Sequence, residues 1–212
     1  MSRVQLTELL RNEFRKANPS NNMVGGVGVN DADYMTVPRI NGVKTMCPAY
    51  SAWTAMIYRA CSGEYHERNP TYRGAAVCNE WLSFMSFRKW WISNHRDGWA
   101  LDKDLLVIGN KKYGPKECLY VPVWLNTFTL DCGASRGKLP IGVTYDKRKG
   151  MFMAQCKNLS SNSFIGYFCD PLEAHVAWRE RKNKLAKELK PSMDDIDLRI
   201  YPNICKIIME AK

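Results

Sequence analysis

Apolar residues recur with a helical spacing in the first part of the chain and alternate in short runs in the later part. In the first part they return every three or four positions, as on one face of a helix. This spacing predicts helices over 3–16, 48–61 and 79–92, the last two with aromatic stripes that pack inward in most helices. The glycine-rich run 24–34 favours a tight strand or turn, and the polar run 63–74 predicts a loop.

The stretch 101–126 consists of two short β-rich runs separated by turn residues. Leucine, valine and isoleucine dominate the first run around 105–108, and the second run covers 118–121. Gly-Asn and Gly-Pro pairs between the runs predict turns. Pro122 follows where a helix can begin, because its missing N–H costs nothing at the first helical position. The stretch therefore predicts a hairpin followed by a helix.

Two oxygen-bearing side chains in this predicted unit are candidate metal ligands. Asp102 falls on the first strand and Asn126 in the helix. Oxygen ligands brought together in this way, with waters, suit a hard cation such as Mg²⁺.

The later part of the chain predicts a small sheet and a helix. Strands are expected over 139–146, 151–157 and 164–168, with a basic turn between the first two. Asp170 can cap a helix that begins at Pro171. The tail ends in apolar residues, which favours a helix for packing or self-association. The fold class expected is α+β: a helical N-terminal half, a hairpin with a helix, then a three-stranded antiparallel sheet packed on one helix.

Composition narrows the class of protein. The 212 residues carry a formal net charge of +10, which favours a polyanionic partner. No apolar run of about 18 residues occurs, so no membrane span is expected, and the N-terminus has an amphipathic pattern rather than that of a signal peptide. The eight cysteines form no C-x-x-C pair, so no zinc is expected and a reduced, cytosolic protein is favoured.

The hairpin-and-helix stretch resembles the ββα-metal core of HNH nucleases, especially those of bacteriophage homing endonucleases. Asp102 falls on the aspartate of the family's first strand, 117–120 on its second-strand segment, and Asn126 on its closing helix residue. The preceding helices are also similar to the family's, through Y-x-x-W-x-x-M from Tyr50 and V-C-N-E-W-L-S-F from Val77. The resemblance implies metal-dependent phosphodiester cleavage with Mg²⁺ or Mn²⁺, held by Asp102, Asn126 and Glu117.

The sequence departs from this family at the general base. Lys103 stands in place of the family's histidine, and Glu117 in place of its middle asparagine. A lysine flanked by Asp102 and Asp104 stays charged and cannot take a proton from water, although it can hold a phosphate. His95 can serve as the base if it folds near the hairpin; the alternative is a solvated loop histidine. Asp102 likewise has an alternative, as a turn or strand-edge carboxylate in a surface ion pair.

The later sheet and helix resemble the plant Apetala/ethylene-response-factor DNA-binding domain, whose phage relatives accompany HNH cores. The matching pieces are Gly142-Val143, Ala154, 165–168, Glu173-Ala174 and Trp178. The resemblance implies that the sheet binds double-stranded DNA; the alternative is a solvated charged face. Cations at the turn suit phosphates, whereas Tyr145 and Gln155 are candidates for base edges. The DNA-binding candidates are Arg136, Lys138, Thr144, Tyr145, Lys147, Arg148, Lys149, Gln155 and Lys157.

These expectations assign the chain four segments and two competing functions. The segments are an N-terminal helix with the glycine-rich run (1–46), an HNH-like domain (47–132), a DNA-binding domain (133–190) and a tail (191–212). The first function is a phage-type HNH-like DNA endonuclease or nickase, with Lys103, Asp102, Asn126 and His95 as catalytic candidates. The alternative is a catalytically inactive phage protein that binds DNA or a host protein. Either would act in the cytoplasm of an infected bacterial host.

Overall fold

The computed structural model describes residues 1–19, 21–129, 137–157 and 162–211. The chain divides into two compact units, Met1–Tyr120 and Val121–Lys212. The mixture of helices with small antiparallel sheets agrees with the predicted α+β class. The division falls within 47–132, the segment for which a single HNH-like domain is expected.

The first unit contains short helices and two-stranded pairings. Antiparallel pairs form between β1 and β2 and between β3 and β4, β5 pairs with β7 in parallel, and β6 pairs with β8. Its elements are α1 (Arg3–Glu13), β1 (Asn22–Val24), β2 (Gly28–Asn30), β3 (Arg39–Ile40), β4 (Val43–Lys44), α2 (Pro48–Cys61), α3 (Gly63–Arg68), β5 (Ala76–Val77), α4 (Phe84–Asn94), β6 (Trp99–Asp102), β7 (Lys112–Tyr113) and β8 (Leu119–Pro122), the last continuing into the second unit.

A first-turn proline or a serine cap sets where α2, α3 and α4 begin. The prediction for α2 is confirmed at both ends, and Pro48 occupies its first turn. The predicted loop 63–74 is wrong, because Ser62 accepts the Tyr65 N–H at 3.2 Å and starts α3 there. The helix predicted from residue 79 begins only at Phe84, since Ser83 caps it and a 3₁₀ turn, Asn79–Leu82, precedes it.

The strand predicted around 105–108 is also wrong. β6 ends at Asp102, whose carboxylate accepts the N–H groups of Asp104 and Leu105, both at 2.8 Å, and so turns the chain. The Asn110 amide then donates to the carbonyl oxygens of Lys103 and Lys112, both at 2.7 Å. These bonds hold 103–110 as a loop although Leu105 is buried.

Aromatic side chains make up most of the first unit's core. Trp53, Trp81, Phe84, Phe87 and Trp91 are fully buried, which confirms that the aromatic stripes of the sequence pack inward. The glycine-rich run supplies the turn after β1 and the whole of β2, in agreement with the predicted tight strand or turn.

The second unit contains the predicted sheet on its helix. Its strands pair antiparallel in the order β11–β10–β9, with a bulge at Ala154/Gln155. Val143 and Ala154 pack on Ala174 of α6, and Asp170 caps that helix through the N–H groups of Leu172 and Glu173. The elements are α5 (Val123–Phe128), β9 (Val143–Asp146), β10 (Met151–Lys157), β11 (Asn162–Phe168), α6 (Pro171–Asp194) and α7 (Ile200–Glu210).

The tail forms α7, and its apolar residues are used in packing. Ile200, Ile204 and Ile208 are buried, and α7 contacts α6. This bears out packing, the first of the two roles expected for the tail. Among the described residues, no helix combines the length and apolar character needed to cross a bilayer.

Candidate nucleic-acid interface and the predicted metal residues

The turn between β9 and β10 projects three cationic side chains from the second unit. Lys147, Arg148 and Lys149 are exposed, and the Arg148 side chain is 94% exposed. Asp146 holds the turn, because its carboxylate accepts the Arg148 N–H at 2.9 Å and the Tyr167 hydroxyl at 3.3 Å. The Arg148 N–H contributes most to lowering the pKa of Asp146. The carboxylate therefore faces the backbone of the turn and leaves its tip basic.

Strand register shows which side chains share the sheet face opposite α6. Thr144, Met153 and Tyr167 are aligned across the three strands, and Gln155 pairs with Phe164 beyond the bulge. Side chains on this face alternate with Val143 and Ala154, which face the core. Phe164 is 58% exposed. Thr144, Met153, Gln155, Phe164 and Tyr167 are called the outer sheet face below.

The outer sheet face continues directly into the basic turn. The Lys149 ammonium lies 3.9 Å from the centre of the Tyr167 ring, and the Gln155 amide lies 3.5 Å from the Thr144 hydroxyl. Lys157, at the end of β10, is exposed on the same side by alternation. An aromatic and amide-bearing strip therefore has cations at the turn and at the strand end.

Two of the predicted DNA-binding residues, Tyr145 and Lys138, lie elsewhere. Tyr145 alternates to the opposite face and packs on Phe152 with ring centres 5.1 Å apart, so Tyr145 and Gln155 point away from each other. Lys138 precedes β9 and lines a cavity beside α6. Arg136 lies outside the residues that the structure describes.

In the first unit, Asp102 and Lys103 serve the loop that follows β6. One Asp102 oxygen accepts two backbone N–H groups, and desolvation by burial raises the pKa of this carboxyl. The Lys103 ammonium donates to the Asp104 carboxylate and lies 3.4 Å from the Asn110 carbonyl oxygen. Its side chain is 11% exposed. The expected surface ion pair therefore belongs to Lys103 and Asp104 rather than to Asp102.

The other predicted metal ligands are divided between the units. Glu117 belongs to the first unit, where its carboxylate lies against Gly114, whereas Asn126 is in α5 of the second. Glu117 and Asp102 both act electrostatically on the buried Cys118 thiol, but its pKa is raised to about 12 chiefly by desolvation. Within the described ranges, no three His, Cys, Asp or Glu side chains come together as a group that could hold a metal.

His95 is buried, so the alternative of a solvated loop histidine is wrong. Its side chain is 4% exposed and stacks on Trp91 with ring centres 4.1 Å apart. The ring meets Tyr120 of β8 edge-on, which places it near the hairpin, as the general-base hypothesis requires. Nε2 lies 3.1 Å from Asp97, whereas the buried Nδ1 has no hydrogen-bond partner among the described residues.

Two residues that the sequence pattern did not single out form a polar cluster in the second unit. His175 and Arg179 lie one turn apart on α6 and contact each other at 3.1 Å. The sequence signal for this cluster was a His and an Arg four positions apart on a predicted helix, a pair that is common on solvent-exposed helices.

No known protein family, curated protein or solved structure matches this chain.

Proposed function

We propose that the second unit binds double-stranded DNA through its outer sheet face and the basic turn. The observation that carries this proposal is the continuity of a partly exposed aromatic and amide-bearing strip with three exposed cations at the turn. The resemblance to the Apetala/ethylene-response-factor domain points in the same direction.

The distribution of charge supports the proposal more than its total does. The second unit contains 15 of the 31 Lys and Arg residues and 10 of the 21 Asp and Glu residues, so both units carry the same positive excess. What distinguishes the second unit is that Lys147, Arg148 and Lys149 are adjacent and exposed. The Asp146 carboxylate beside them accepts bonds from the turn backbone and from Tyr167, and the Arg148 Nε lies 3.9 Å from it. Such a tip suits phosphates, which position a protein without reading sequence.

In this arrangement the uncharged side chains contact the bases. Gln155 can donate and accept toward one base edge, as glutamine does with adenine in the major groove. Thr144 lies beside it and Phe164 offers an apolar surface to a thymine methyl group. A sheet that presents both kinds of group suits a duplex groove.

The test is a salt titration of duplex binding by fluorescence anisotropy. Replacing Lys147 and Arg148 with Gln should lower affinity and reduce the slope of log affinity against log salt by about 0.9 for each lost phosphate contact. The control replaces Lys184 and Lys187, two exposed lysines of α6, with Gln and makes the same change in charge. Equal losses in both variants would mean that net charge, not the turn, drives binding.

Metal-dependent cleavage by the HNH-like segment is the second candidate function. The order β6, β8, α5, with Asp102 and Asn126 at the family's positions, favours it. Against it, Lys103 is engaged by Asp104 and His95 is buried against two aromatic rings, so neither side chain is placed to take a proton from water. We therefore infer that the inactive DNA-binding alternative describes the chain better than the endonuclease hypothesis.

A plasmid assay decides between the two. Supercoiled plasmid incubated with the protein and Mg²⁺ or Mn²⁺ should stay supercoiled for wild type and for Asn126→Ala alike. Nicking by wild type that disappears in Asn126→Ala would establish cleavage instead. A protein with no salt-dependent DNA affinity would leave a host protein as the partner, in the cytoplasm of an infected bacterium.

A further inference from the structure

The second unit contains a cavity of about 430 Å³ beside α6. Its walls come from the loop before β9, from one face of α6 and from the residue that follows α7. The side chains used below are Lys138, Pro140, Leu172, His175 and Arg179. None of the described lining residues is acidic, and none belongs to the outer sheet face.

Hydrogen bonds hold the basic wall of this cavity in place. His175 is almost fully buried, and its Nδ1 lies 2.9 Å from the Ile141 carbonyl oxygen, to which it donates. The Arg179 Nη2 donates to the Ala211 carbonyl oxygen at 3.4 Å, and His175 Nε2 lies 3.1 Å from both that oxygen and Arg179 Nη2. The guanidinium is therefore oriented by the protein before any ligand arrives.

One donor of this guanidinium is unsatisfied. The Arg179 Nε–H is buried and has no hydrogen-bond partner among the described residues. Buried donors without acceptors cost free energy, so native structures contain few of them and each calls for an explanation. Four other buried side-chain nitrogens among the described residues are unpartnered in the same way, so this N–H marks the burial of the Arg179 side chain and does not by itself indicate a ligand.

We propose that this cavity binds a phosphoryl group carried by a small molecule. Two cations, Lys138 and Arg179, face a single cavity, which matches an anion that can carry two negative charges. Lysine binds phosphate as a point charge, and arginine binds it through directed N–H bonds. Pro140 and Leu172 supply an apolar wall for the organic part of such a ligand. The site goes beyond the proposed DNA-binding function because its lining residues lie off the outer sheet face.

The test follows backbone amide resonances of the intact chain during titration with inorganic phosphate, against sodium chloride of equal ionic strength. The amides of Lys138, His175 and Arg179 should shift saturably with phosphate alone. Arg179→Gln should weaken binding about tenfold or more, the loss expected for one charge-assisted hydrogen bond. Lys138→Gln, a change on an exposed loop, should also weaken it and covers the case in which the Arg179 variant misfolds.

Lys184→Gln is the control, because it removes one positive charge from an exposed position of α6 outside the cavity and should leave phosphate binding unchanged. Shifts confined to the basic turn, or equal affinity in wild type and both cavity variants, would overturn the proposal. Phenyl phosphate and a short duplex then distinguish the sources. Arg179→Gln should weaken phenyl phosphate and leave duplex affinity unchanged; a loss for the duplex alone would assign the phosphoryl group to the DNA backbone and overturn the small-molecule site.

Discussion

Replacing Asp102 separates a structural role of this carboxylate from a catalytic one. Its Oδ1 accepts the N–H groups of Asp104 and Leu105, both at 2.8 Å, where β6 ends and the loop begins. Asp102→Ala removes the acceptor, whereas Asp102→Asn keeps a carbonyl oxygen that can occupy the same place. Both variants remove the negative charge that a metal or a mechanism would use.

The magnitude follows from comparing the two variants with each other. Desolvation raises the pKa of Asp102 above its usual 3.8, so the folded state binds this proton more tightly and the charged carboxylate lowers stability at neutral pH. Both substitutions relieve this cost equally, and it cancels in their difference. What remains is two hydrogen bonds, each contributing about 1 kcal/mol. Asp102→Ala should therefore be about 2 kcal/mol less stable than Asp102→Asn.

Urea unfolding followed by tryptophan fluorescence measures this difference, because five of the seven tryptophans belong to the first unit. Asp102→Asn should unfold at a urea concentration close to that of wild type, or higher, and Asp102→Ala clearly lower. Equal midpoints for the two variants would refute the structural role of the Oδ1 bonds. The same pair refines the plasmid assay, since only Asp102→Asn tests the charge without weakening the loop.

Two further changes test the packing of each unit. Burial lowers the pKa of His95 below its usual 6.5, so the free energy of unfolding should fall as the pH drops from 6.5 toward the pKa of His95 in the folded state. His95→Gln should lose this pH dependence. Parallel curves of unfolding free energy against pH for the two proteins would contradict the prediction. Gly142→Ala should destabilise the second unit by more than about 2 kcal/mol, because φ is +82° and the new Cβ would lie 2.1 Å from Trp178. Gly150→Ala is the control in urea unfolding, since φ is +64° there but the nearest atom to the new Cβ is 3.9 Å away. It should cost about 1 kcal/mol of unfolding free energy. Equal losses of stability in the two variants would rule out the Trp178 contact as the cause.

Local patterns in the sequence are enough to predict those helices and strands whose ends depend on nearby residues. The bounds of α2 follow from its 3–4 spacing and Pro48, and the start of α6 from Asp170 and Pro171. The three strands of the second unit follow from alternation between turn residues. In each case the residues that decide the structure lie within a few positions of the element, so the pattern carries the information.

The failures at 105–108 and at His95 have a different cause, namely side-chain contacts that the pattern of apolar and polar residues does not encode. The run 105–108 has β-forming residues, but the Asp102 and Asn110 side chains hold its backbone in turns. The burial of His95 depends on Trp91 and on Tyr120, which lies 25 positions along the chain. Neither contact is visible in composition or spacing. The candidate catalytic residues are predicted from their place in a motif, whereas the bonds they make in the fold determine which chemical role each can take.

The proposed DNA-binding surface and three of the four catalytic candidates belong to different units, the exception being Asn126 in the second unit. The basic turn and the outer sheet face belong entirely to the second unit, whereas Asp102, Lys103 and His95 belong to the first. A lysine at the position of the family's histidine is compatible with a stable first unit, since its ammonium is engaged by Asp104 and the Asn110 carbonyl. Because the proposed DNA-binding residues of the second unit do not depend on Lys103, the binding assay, rather than the nuclease assay, is the primary test of the proposed function.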